Sequence, residues 1–172
     1  MSIPTKGKSL RTATVPSGRM KWGTSKRITT PPLKVFRKLE DKIPPGAFEL
    51  LEPLLERYPL QIRISRKRNT KAGDYRPPFN GAGHRISVNH DLEPPAFLLT
   101  LLHELAHLFT YEEHGRKAKP HGKEWKHMYR HVVIPFLAEG IFPEEVARPL
   151  AGYIRNPSAS TVSNTELHRA LY

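Results

Sequence analysis

Two histidines four residues apart, with a glutamate after the first, stand in Leu98–Gly115 (LLTLLHELAHLFTYEEHG) as His103-Glu104-Leu105-Ala106-His107. On a helix, residues four apart share a face and differ by about 40° in angle. Both imidazoles can then reach one cation, and Glu104 lies close enough to act on a water bound to it. This HExxH spacing is that of a zinc hydrolase whose glutamate is the general base. The pattern is short, so its surroundings matter. Ala96, Phe97, Leu98, Leu99, Leu101, Leu102, Leu105, Ala106, Leu108 and Phe109 enclose it on nearly all sides. A helix that is apolar all round is a buried one, and buried imidazoles and carboxylates are costly without partners. A metal ion supplies that partner; a hydrogen-bonded pair of core histidines is the plainer alternative.

A catalytic zinc takes three protein ligands and keeps a position for water. His114 lies seven residues beyond His107, about 10 Å along a continuing helix, too far to share the ion. Thr110 and Glu113 occupy the positions where a metzincin needs glycine and histidine. Glu124 would supply a carboxylate ligand from a following helix. His127 and His131 are one turn apart and could hold a metal of their own, although a solvated or capping role suits them better. His121 is the expected third ligand. It opens a helix running to about Leu137, whose apolar residues Trp125, Met128, Val132 and Phe136 should face the site, and Gly122 leaves room beside it. The expected centre is therefore His103, His107 and His121 on Zn2+, with Glu104 as the catalytic base. Three histidines favour zinc over magnesium or calcium. Tyr111, Tyr129 and Arg85 are candidates to stabilise an oxyanion, and the sequence does not choose among them.

The elements that must position these residues are legible in part. Pro94 and Pro95 suit the first turn of the HExxH helix, and Gly115 suits its end. Leu33–Leu39 is a short helical candidate. A second helix is expected from near Pro45, with Phe48, Leu50, Leu51, Leu54, Leu55 and Tyr58 as its apolar face and Pro53 kinking or splitting it. Leu60–Ser65 and His84–Asn89 alternate as half-buried strands. Between them runs RKRNTKAGDYRPPFNGAG, read as a long loop. Were the Ile86–Val88 strand a sheet edge beside the metal, a substrate peptide could add to it as a further strand. Pro143–Arg155 is a helical candidate disturbed by Pro149, and Asn156–Thr165 reads as a linker. Ser163-Asn164-Thr165-Glu166 has the form of a capping box before a last short helix, expected to dock only weakly.

The chain has 172 residues, 38% hydrophobic content, 17 prolines and no cysteine. That fits one ordinary domain with polar extensions, and it excludes disulfides and cysteine zinc sites. No stretch reads as a membrane span or as an apolar signal core. The formal charge of +12 is concentrated. Residues 1–32 carry seven Lys/Arg and no acid, and read as a disordered basic arm. The loop after the first strand interleaves Arg66, Lys67, Arg68, Lys71 and Arg76 with Tyr75 and Phe79. The connection before His121 adds Arg116, Lys117 and Lys119. Cations for phosphates and aromatics for stacking fit single-stranded or junction DNA; for the two aromatics, anchoring the loop on the core is an equal alternative.

HELAH at 103–107 followed by HGKEWKHM at 121–128 resembles the SprT-like zinc metalloproteases, in particular short bacterial members, over roughly residues 35–155. The resemblance implies an α+β, minigluzincin-like domain in which a small antiparallel sheet packs against helices. It implies His103, His107 and His121 on zinc, Glu104 as acid/base, and cleavage of DNA-bound or DNA-crosslinked proteins with DNA as activator. Many members add a cysteine zinc ribbon, which this sequence does not contain; its basic patches are the expected substitute. The resulting division is an arm over 1–32, a protease domain over 33–155, and a linker with a short helix over 156–172. The expected partners are a protein substrate and DNA, with no membrane, and the expected location is the bacterial cytosol or nucleoid.

Overall fold

The computed structural model describes residues 36–172, so the basic arm expected over residues 1–32 and the first residues of the Leu33–Leu39 candidate lie outside the described residues. A 3-10 turn at Arg37–Lys42 precedes α1 (Ala47–Leu55), β1 (Leu60–Ser65), β2 (Gly73–Arg76) and β3 (His84–Asn89). Then come α2 (Pro94–His114), α3 (Lys123–Ala138), α4 (Glu144–Tyr153) and α5 (Thr165–Leu171). The architecture is α+β, a small sheet against helices.

The centre of the molecule is α2. Pro94 and Pro95 open it, where the missing N–H groups would have had no intrahelical acceptor. Gly115 closes it at a φ of 65°, a left-handed value that glycine adopts without penalty. Its leucines are buried on every side because α3 covers one flank and β2 and β3 another. Trp125, Tyr129 and Phe136 of α3 are wholly buried in this contact.

Two elements expected to be disrupted by proline are continuous. Pro53 lies within α1 and Pro149 within α4. Each proline removes one backbone donor, and burial of Leu51 and Leu55 on α1, and of Val146 and Leu150 on α4, offsets that loss.

Both expected strands have the bounds read from their alternation, but the sheet between them is mixed, not antiparallel. Its order is β1-β3-β2. β1 pairs with β3 in parallel, from Leu60↔His84 to Ser65↔Asn89, and β2 pairs with β3 antiparallel. The cause lies in the stretch read as a loop. Residues 66–72 cross the end of the sheet, β2 runs back, and a tight turn reverses the chain again, so β3 enters between the other two. Two reversals leave β1 and β3 pointing the same way. The second reversal is Asn80-Gly81, with φ of 48° and 79°, closed by paired backbone bonds of 3.2 and 3.0 Å between Phe79 and Ala82. Positive φ at both residues is what a two-residue hairpin turn of matching twist requires. β3 is therefore the central strand, and the expectation of a substrate-binding edge there fails. Among the described residues, the free edges belong to β1 and β2.

The C-terminal segment is docked more firmly than its polarity suggested. Leu167 and Leu171 are buried with α4. The helix cap is Asn164, whose Oδ1 accepts from Leu167 N at 2.9 Å. Ser163, the expected cap, is instead 2.6 Å from Ser158 Oγ and donates to Ser160 O. Tyr153 donates its phenol to Ser158 O at 2.7 Å, tying down the stretch expected to be a linker.

Candidate metal centre

One face of α2 presents His103 and His107. The third imidazole comes from the turn before α3. Gly122 N donates to Lys119 O at 2.9 Å, and His121 sits at a φ of 57°, a left-handed value unusual for a bulky residue. That conformation brings the His121 ring back over α2. The three Nε2 atoms stand 3.1 Å (His103–His121), 3.2 Å (His103–His107) and 3.0 Å (His107–His121) apart.

Protons alone cannot satisfy this triangle. Each neutral Nε2 either donates or accepts, so among three mutually facing nitrogens at least one pair must have the same role. Burial lowers all three histidine pKa values, that of His107 to about 4, and for His103 and His107 the neighbouring imidazoles add to the effect. The rings are held neutral, with lone pairs available. Zinc–nitrogen bonds of about 2.0–2.1 Å in tetrahedral array separate the nitrogens by roughly 3.3 Å, close to the observed spacing. These three histidines can hold one metal ion.

Trp125 forms the floor. Its ring centroid lies 4.7 Å from His103, 5.3 Å from His107 and 4.7 Å from His121, and Tyr129 stacks behind it at 4.9 Å. This apolar backing excludes water from one side of the nitrogens.

Glu104 is only 7% exposed. Burial, reinforced by Asp74, pushes its pKa up to about 8, while Arg68, Lys71 and a hydrogen bond from the Tyr75 backbone N–H oppose the rise. A carboxyl so poised exchanges a proton readily near neutral pH.

Tyr75 faces His107 with its ring parallel to within 2° at 6.4 Å. Its hydroxyl lies 2.9 Å from His84 Nδ1, and His84 Nε2 lies 3.2 Å from Glu112. Burial pushes the His84 pKa down to about 4, so the ring is neutral. Its one proton then belongs on Nε2 toward the carboxylate, and Nδ1 accepts from Tyr75. Sequence reading did not find Tyr75, His84 and Glu112 as a group, because β2 and β3 bring them together across the mixed sheet.

The cleft over these residues measures about 590 Å³. Gly73, Asp74 and Tyr75 of β2 line it, as do Gly115, Arg116 and Lys119 from the connection before α3 and Ser160, Thr161 and Tyr172 from the C-terminal segment. Tyr111 and Tyr129 both line it, Tyr129 at 1% exposure and stacked on Trp125, and Arg85 is not among the lining residues. His114 and Glu124 are not part of the histidine cluster, and His127 and His131 face outward from α3.

The basic residues divide. The Arg68 guanidinium is drawn inward, bonding Asn89 Oδ1 at 2.8 Å and Ser87 Oγ at 3.1 Å, and so pins residues 66–72 to β3. Lys71 and Arg76 both pair with Asp74, and Lys67 with Asp91. Arg66, Arg116, Lys117 and Lys119 are exposed, and Arg116 and Lys119 stand at the cleft with Lys71. Tyr75 is anchored, whereas Phe79 is 62% exposed at its turn.

An HExxH helix backed by a small sheet, with a third histidine opening the next helix, defines a metalloprotease-like domain. The SprT-like family model matches residues 35–136, and the chain belongs to the SprT-like family. The match contains the three histidines, Glu104 and β2; α4 and α5 follow it. No curated protein and no solved structure gives a significant match. Among the described residues, no helix is long and apolar enough to cross a membrane.

Proposed function

We propose that the chain is a zinc metalloendopeptidase acting on DNA-associated or DNA-crosslinked proteins in the cytosol or nucleoid. The observation that carries the reading is the convergence of three Nε2 atoms within 3.0–3.2 Å of one another, beside a buried carboxyl. Zinc held there would polarise the scissile carbonyl and acidify its bound water. Glu104 takes the proton of the attacking water and delivers it to the leaving amine. Among the described residues the outer edge of β2 along the cleft is unpaired by any strand, and with the Tyr75 N–H directed at Glu104 an extended peptide can add there through the remaining Gly73 and Tyr75 main-chain groups. Tyr111, which lines the cleft and is part-exposed where Tyr129 is buried, is the best placed of the three oxyanion candidates. Arg116, Lys117 and Lys119 with Lys71 supply a cationic rim suited to a phosphate backbone.

The test uses purified protein with one zinc per chain and a basic DNA-binding protein as substrate, with and without single-stranded DNA. Cleavage accelerated by DNA and abolished by a chelator supports the whole reading. Cleavage indifferent to DNA keeps the peptidase and removes the DNA switch. Salt-sensitive DNA binding by a zinc-loaded protein that cleaves nothing would replace the proposal with a nucleic-acid-binding module.

A further inference from the structure

Resting on that peptidase reading, we infer that Gly73 and the Tyr75 backbone N–H on β2 position the Glu104 carboxyl, and that Gly73 is required at its place for this reason. A Cβ added to Gly73 would lie 2.5 Å from Glu104 Oε1, 2.9 Å from Glu104 Cγ and 2.8 Å from Thr100 Cγ2. Real contacts of a Cβ do not come that close, and α2 leaves Glu104, 7% exposed, little room to retreat. The backbone of β2 thus reaches the carboxyl only because residue 73 lacks a side chain. Its φ falls outside the left-handed range, so the requirement is one of space.

The strand register explains the second contact. Asn89 N donates to Ala72 O, and the β2–β3 pairing continues through Gly73↔Val88, Asp74↔Ser87 and Tyr75↔Ile86. In an antiparallel ladder, hydrogen-bonded and non-hydrogen-bonded pairs alternate. Asp74 therefore bonds to β3, whereas Gly73 and Tyr75 turn their backbone groups to the free edge. There the Tyr75 N–H donates to Glu104. One strand edge thus presents a donor to the base and, two residues earlier, the gap the base occupies.

The experiment has two arms. In the kinetic arm, Gly73→Ala keeps one zinc per chain and a near-native KM, and lowers kcat by about a hundredfold, the scale of an ångström's misplacement of a catalytic group. In a Glu104→Gln background the same substitution adds no further loss. Native kcat in Gly73→Ala, equal losses in both backgrounds, or full recovery in Gly73→Ala/Thr100→Ser, which removes only Cγ2, would each overturn the proposal.

The second arm needs no activity and no Gly73 variant. In the zinc-loaded protein the Tyr75 amide is protected from hydrogen exchange, and Glu104→Ala speeds it by roughly tenfold or more while the Asp74 amide is unchanged. Equal Tyr75 rates in both proteins refute the contact, whether or not the chain proves to be a peptidase.

Discussion

His121 Nε2 lies 3.0 Å from His107 Nε2, although one residue belongs to a left-handed turn and the other to the middle of α2. A protein that holds imidazoles this way should gain stability from the ion they converge on. Zinc at a hundred times its Kd stabilises by about 2.7 kcal/mol if it binds only the folded state. Thermal unfolding with and without zinc should show that rise in wild type. His121→Gly should lose it while retaining the metal-free melting temperature or exceeding it, because glycine adopts the left-handed conformation at 121 without a Cβ penalty.

Glu104 makes the opposite contribution in the metal-free protein. Its pKa is raised from the ordinary 4.5 to about 8, by burial first. The folded state then binds more protons than the unfolded state between those values, so stability falls as pH rises through that window. Glu104→Gln removes the titration. Denaturant titrations of metal-free protein should show the variant gaining on wild type from pH 4.5 to pH 8; a constant difference would contradict the assignment.

His84 acts at lower pH. Its folded pKa, about 4, lies below the ordinary 6.5 because the ring is buried. The unfolded state takes up the extra proton, so stability declines as pH falls from about 6.5 toward 4. Tyr75→Phe strips Nδ1 of its donor and should cost about 1–3 kcal/mol at pH 7.5, measured by equilibrium unfolding.

The basic side chains should separate by environment. Alanine at Arg116 or Lys119 is expected to weaken DNA binding and reduce the salt slope by about one each, with stability changed by less than about 0.5 kcal/mol. Arg68→Ala should instead destabilise the fold, since it leaves Asn89 and Ser87 without their guanidinium partner. Fluorescence anisotropy across a salt series, paired with melting curves, distinguishes the two kinds.

The histidine cluster was legible because helical periodicity fixes the separation of His103 and His107, and because the apolar face through Trp125 turns the start of α3 toward them. Strand bounds were legible from alternation. β2 was not, since Gly73–Arg76 is four residues long and its faces lack an apolar–polar contrast. With β2 hidden, the direction of β3 relative to β1 could not be read, nor the Tyr75–His84–Glu112 chain, nor the approach of Gly73 to Glu104. The roles of Arg68 and Lys71 depend on the same strand, so a run of cations looked uniform where the fold makes some structural and leaves others exposed.

The most direct test of Glu104 as the base of a zinc peptidase is peptide-bond cleavage by wild type and Glu104→Gln at equal zinc content. One zinc per chain is expected in both, with a loss of about 10²–10⁴ in kcat in the variant, the range for a positioned acid/base. Equal rates in the two proteins, each zinc-loaded and folded, would contradict it.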